Sequence, residues 1–446
     1  MTDVPFGFGP HPDDDDSEAG GFGKAGGPGG PGGSSGVPGF GLAGFGMPGL
    51  PGMPGAAGGI PEDLAGKVPL FAALQQLLSA QSGPVNWDLA RQMAVSALAT
   101  GHRAPSPVER SQASEAVRIA DLWLDPATPL PSGVTSAEAW SRVEWVERTL
   151  PVWSALCDPV ASRVVGAMSG IVPEEAAAEA GQLLGMVGQI GGLMFGAQVG
   201  QALSRLAGEV LSSTDVGLPL GPAGVAALLP DNVAAFGAGL GRPADEVRLF
   251  LALREAAYHR LFGHVPWLRQ RLLDAVESYA RGITVDREAI ERAMAEVNPE
   301  DPESMQRALQ GGMFEPSVTP EQQAALARLE TLLALVEGWV DDVVAVAAAD
   351  RLPGADALRE TLRRRRAAGG PAEQTFATLV GLELRPRRLR EAATLWRTLR
   401  ERRGAEGRDE LWRHPDLLPS GDDLDDPEGF VRRAEEGDEP LDPGQA

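Results

Sequence analysis

The stretch "TPEQQAALARLETLLALVEGWVDDVVAVAAADRLPG", residues 319 to 354, most constrains how this chain can fold. Thr319 suits an N-cap, Pro320 the first helical position, and Gln322 completes a capping box, while "LPG" supplies the stop. Within the helix, "LLALVEGWV" encloses one carboxylate, Glu337. A buried charge without a partner is strongly disfavoured. Two readings follow: another part of the chain meets Glu337 in the interior, which is the favoured one, or Glu337 and Asp341 line a wet face of the helix.

The surrounding sequence is helical as well. "PEDLAGKVPLFAALQQLLSA" and "NWDLARQMAVSALAT" repeat apolar residues at three- and four-residue spacing. "SAEAWSRVEWVERTL" offers Ser136 as a helix cap, and a helix from about Ala244 to His264 ends at Pro266. No series of alternating strands stands out, so the expected class is mainly α. Residues 1–60 form a Gly/Pro-rich arm without helical or strand period, expected to be disordered. Residues 421–446 are expected to form an acidic disordered tail, leaving 61–420 as the folded body.

The run "GQLLGMVGQIGGLMFGAQVGQAL" carries no charge between Glu179 and Arg205 and is long enough to cross a bilayer. Gly188, Gly192, Gly196 and Gly200 make a stripe every four residues, as in close helix contacts. Its glutamines would be stranded in lipid, so a helix buried between other helices is the expectation, with no membrane partner. The formal charge of −23 argues against nucleic acid as a partner. A single cysteine, Cys157, excludes an intramolecular disulfide and fits a reducing compartment. The first residues have neither a basic start nor an apolar core, so the expected location is the cytoplasm.

"REAAYHRLFGH", residues 254 to 264, lies close to the zinc-protease helix His-Glu-x-x-His. That motif needs two imidazoles four residues apart on one helix face, with the glutamate beside the first as general base. Here Arg254 and Tyr258 stand in the two histidine slots. A guanidinium stays protonated and cannot ligate a cation. His259 is rotated about a third of a turn from Tyr258 and does not replace the missing ligand. Glu255 and His259 could share an ion or a salt bridge. For His259 and His264, local surface or cap pairing is the simpler reading.

"LALREAAYHRLFGHVPWLRQRLLDAVESYARGI", "LVEGWVDDVV" and "GGPAEQTFATLVGLELRPRRLREAATLWRTL" together resemble the actinobacterial zincin-like metallopeptidase type 2 family, whose members are described as hydrolases or zinc-dependent metalloproteases. The likeness covers most of residues 61–420 and implies a multi-helical zincin-like domain. It also implies zinc as cofactor, Glu255 as general base and Glu337 as the third, glutamate ligand, with Arg254 and Tyr258 departing from the pattern. If the two helices pack as the resemblance implies, Arg254 faces Glu337 and supplies the positive charge that zinc would have supplied, with the Tyr258 hydroxyl completing the cluster. Two readings follow. One is a hydrolase with an atypical site of Glu255, His259 and Glu337. The other, favoured by the residue chemistry, binds no zinc and is a pseudoenzyme, a scaffold that uses the zincin-like fold, its tails and its Arg-rich patch to bind an unknown protein or peptide partner.

"RRRR" at 363–366 and "RPRRLRE" at 385–391 make a local positive excess. Aromatic interleaving is sparse, with Phe376 and Trp396, so the expectation is a solvated face or pairing with the acidic tail rather than nucleic-acid binding. No phosphate-binding loop or nucleophile elbow is present, and Cys157 has no local histidine.

Overall fold

A computed structural model describes residues 83–169, 177–281, 319–367 and 388–438, with side chains described throughout except at 164–190, 367 and 436–438. The expected helix at 61–80, the arm at 1–60, Phe376 and the end of the acidic tail lie outside the described residues. The chain runs α1 (Trp87–Leu98), α2 (Pro107–Leu124), β1 (Ser136–Ala139), α3 (Arg142–Ser169), α4 (Ala177–Ala207), β2 (Val225–Leu228), α5 (Pro230–Gly237), α6 (Ala244–His264), α7 (Pro266–Arg281), α8 (Pro320–Ala348), α9 (Ala355–Ala367), α10 (Leu389–Asp409), α11 (Gly421–Asp425) and α12 (Pro427–Asp438). The fold is mainly α. The two short strands pair in parallel, Ser136 opposite Val225 and Ala139 opposite Leu228.

The centre of the fold is α8. Its start is the capping box read from the sequence: Thr319 accepts from the Gln322 amide, and Gln322 reaches back to the Thr319 amide. From Leu332 to Val344 every residue is buried, because α6, α7 and α10 pack around it. Each large aliphatic side chain covered in this way contributes roughly 1.5–3 kcal/mol. Three carboxylates, Glu337, Asp341 and Asp342, are buried in the same stretch. Their partners define the interior chemistry of the protein.

Two glycines of the stripe, Gly196 and Gly200, lie against the start of α1. A Cβ on Gly196 would stand 2.5 Å from the Asn86 carbonyl oxygen, and one on Gly200 the same distance from that of Ala90. Glycine is needed where two helix backbones come this close. No helix among the described residues is long and apolar enough to cross a membrane.

Two expectations change. Ser136 does not cap a helix; it opens β1, and the cap of α3 is Ser141, whose hydroxyl accepts from the Glu144 amide while Glu144 accepts from the Ser141 amide. Both serines precede an apolar run, and parallel pairing with β2 claims the first. The acidic segment beyond 420 is also ordered further than expected. Ser420 caps α11, α12 packs on α10, and Leu424 and Val431 are buried. The described body therefore extends past 420 to 438.

Candidate functional site

Helix α6 is buried from Phe250 to Leu261, so its polar residues must find partners inside the protein. They sort by helical spacing. Arg254 and Tyr258, four apart, share one face; Glu255 and His259 share the next.

The first face meets α8. Arg254 donates through Nη2 to Glu337 Oε2 at 2.8 Å and to the Tyr258 hydroxyl oxygen at 3.2 Å. Tyr258 donates to the other oxygen, Glu337 Oε1. The Arg366 guanidinium from α9 pairs with that same oxygen and also donates to the Asp215 carbonyl. Glu337 is 2% exposed and Arg254 8%. Burial works to raise the Glu337 pKa, but Arg366 and Arg254 more than offset it, and the carboxyl is held below its usual range. For Tyr258, burial and then the adjacent Glu337 charge push the phenol up, so it stays a proton donor. The turn at Gly217, with φ of 79°, closes over the carboxylate; a Cβ there would stand 2.8 Å from Glu337 Oε1.

The second face points at the loop after α4 and at β2. Glu255 is wholly buried and accepts from the Ser213 hydroxyl, from the Thr214 amide at 3.2 Å and hydroxyl at 2.5 Å, and from the Ala227 amide of β2 at 3.2 Å. His259 Nε2 lies 3.2 Å from the same carboxylate. Burial works to raise the Glu255 pKa, and the hydrogen bond and charge of His259, with the serine hydroxyls, bring it below the usual value. The pairing expected between Glu255 and His259 exists, although it is internal rather than on the surface. His264 is exposed beside the Ser132 carbonyl at 3.2 Å.

The three residues of an atypical metal site are thus divided. Glu255 and His259 form one cluster and Glu337 another, and no hydrogen bond or ion pair among the described residues joins them. Among the described residues, no group of three or more His, Cys, Asp or Glu is arranged to hold a metal.

The other α8 carboxylates repeat the pattern with different helices. Asp341 pairs with Arg363 at 2.6 Å, and Asp342 with Arg400 at 3.1 Å and Arg408 at 2.9 Å. Arg408 has no exposure and also holds Asp409, which accepts from Trp339 at 2.7 Å and from Thr128 at 2.5 Å. Guanidinium forks suit such buried carboxylates better than a lysine point charge. The tetra-arginine run is therefore neither a solvated face nor a clamp on the acidic tail. Arg363 and Arg366 turn inward to Asp341 and Glu337, Arg365 reaches Asp215 at 3.4 Å, and Arg364 alone stays with Glu360 on its own helix. Among the described residues, the second basic segment meets the acidic one at Arg388, which pairs with Asp425.

Sequence reasoning missed Arg366, Asp215, Ser213 and Thr214. The signal for the last three was "SSTD" at 212–215, a hydroxyl-rich run in the loop between α4 and β2.

The chain matches the zincin-like metallopeptidase family over residues 85–431. It belongs to that family. It is also similar to the crystal structure of a candidate hydrolase with a novel fold from Chloroflexus aurantiacus, at 22% identity and a TM-score of 0.55, covering 79% of this chain and 99% of that one. At this identity the likeness is one of fold. No curated protein matches the chain.

Proposed function

We propose that this family member is a binding module in which an internal ion-pair cluster stands where zinc-dependent hydrolysis would need its metal. The carrying observation is that both oxygens of Glu337 are engaged, one by Arg254 and the other by Tyr258 and Arg366. The zinc implied by family membership does not fit this donor set. Two of its groups are guanidiniums with no lone pair to offer, and a divalent cation beside them would be repelled. Glu255 does not fit a general base either, since serine, threonine and backbone donors hold its oxygens in a fully buried position. A protein or peptide partner in the cytoplasm fits the charge and the lack of nucleotide motifs.

Elemental mass spectrometry of the purified full chain, beside the Glu337→Ala variant, tests this reading. Expected is no stoichiometric zinc in either protein, and no cleavage of a peptide mixture beyond that of a mock preparation. Near-stoichiometric zinc in the wild type that disappears in the variant would overturn it.

A further inference from the structure

Between α7, the first half of α8 and the turn at 415–421 lies a half-open groove of about 580 Å³. Helical spacing supplies two of its walls, with Ala275 and Ser278 on α7 facing Ala327 and Thr331 on α8. Its floor is apolar: Leu332 and Leu335 are buried and Leu418 half-buried. The third wall is pinned in place. Ser420 caps α11, and the Arg388 guanidinium holds both the Gly421 carbonyl and Asp425. The groove is therefore formed before anything enters it. Each helix also brings one arginine to the rim, Arg271 from α7 and Arg328 from α8. Both are exposed, and neither makes a hydrogen bond or ion pair among the described residues. The rim carboxylate, Asp274, accepts instead from the Gln270 amide at 2.8 Å. These two cations thus differ from the arginines at Glu337, Asp341 and Asp342, whose charges are matched inside the protein.

We propose that this groove docks a short segment of a partner polypeptide in which leucine-like side chains are flanked by carboxylates. The apolar side chains cover Leu332, Leu335 and Leu418, and the carboxylates meet Arg271 and Arg328 on the two rims. A polypeptide suits the shape better than a small molecule, because a small-molecule site encloses roughly 70–90% of its ligand and this groove is open along one side. The overall charge of −23 disfavours a partner that is acidic over a wide surface. It leaves room for a few carboxylates beside an apolar anchor, where two guanidiniums await counter-charges. The proposal rests on the reading of the protein as a binding module, and it adds the place and the chemistry of the partner.

The test is isothermal titration of the full chain with the peptide acetyl-Glu-Asp-Leu-Leu-Asp-Glu-amide. Two control peptides carry serine for both leucines, or lysine for all four acids. Expected is saturable one-to-one binding of the first peptide with a Kd below about 1 mM, and none of either control. Arg271→Glu and Arg328→Glu change exposed side chains and should each weaken binding about tenfold, as for a charged hydrogen bond lost. Ala327→Glu, which places a carboxylate on the exposed wall of α8, should do the same. No saturable binding of the first peptide overturns the proposal, as does binding that all three variants leave unchanged, or equal binding of a control. A dimer in sedimentation of the peptide-free chain that Arg271→Glu dissociates would assign the groove to a second copy and overturn it too. Stoichiometric zinc would remove the functional reading beneath the proposal; a zinc-free protein that ignores the peptide would remove this inference alone.

Discussion

The Arg254 guanidinium and the Glu337 carboxylate meet at 2.8 Å in the interior, one from α6 and one from α8, and each is more than nine-tenths covered. Such a pair holds two helices in register but gains little over apolar residues of the same size, because both charges lost water. Removing one partner is what costs stability. Glu337→Ala strands Arg254 and Arg366 together and should destabilise the fold by about 3–5 kcal/mol. The triple replacement Arg254→Met, Glu337→Leu, Arg366→Met should cost markedly less than the single one. Denaturant titration of the two proteins checks this, and equal losses would contradict it.

Gly217 gives an independent probe of the same carboxylate. Gly217→Ala meets both a left-handed backbone, φ 79°, and Glu337 Oε1 at 2.8 Å. Gly239→Ala meets only the backbone, φ 81°, with nothing within 4 Å. Backbone strain alone costs about 1–3 kcal/mol, so Gly217→Ala should be the worse of the two in thermal unfolding.

Acid should act through the buried carboxylates. Glu337 and Glu255 both have folded pKa values below the ordinary glutamate value of about 4.3. Their contribution is therefore fully present above that pH and is lost as pH falls through the lowered folded values. Urea midpoints should stay flat from pH 7 to about 5 and drop below about 4. Glu337→Gln should flatten the acid limb; an unchanged limb would mean other carboxylates govern it.

The α3 cap can be tested directly. Ser141→Ala removes the hydroxyl that accepts from Glu144 and should cost about 1 kcal/mol, whereas Ser136→Ala in β1 should cost a few tenths at most.

Buried hydroxyls around Glu255 carry the last expectation. Ser213→Ala leaves that fully buried carboxylate with one donor fewer, and should destabilise by about 1–3 kcal/mol. A loss below the error of denaturant titration would show that Thr214, Ala227 and His259 suffice.

What the sequence determined by itself is local. Helical period and capping chemistry are written within a few consecutive residues, so the start of α8 at Thr319 and both ends of α6 were readable. The spacing of Arg254, Glu255, Tyr258 and His259 likewise decided which residues share a face. The apolar run around Glu337 in "LLALVEGWV" favoured an internal partner over a wet face, and the family likeness pointed to Arg254. Only the tertiary structure decided that Arg366 completes the cluster, because within "RRRR" nothing local separates an inward arginine from a solvated one. It also decided that Ser136 pairs as a strand and that Glu255 is enclosed by Ser213, Thr214 and Ala227. Those contacts join segments far apart in the chain, and their energies depend on which groups lose water together, a property of the packed whole rather than of any stretch of sequence.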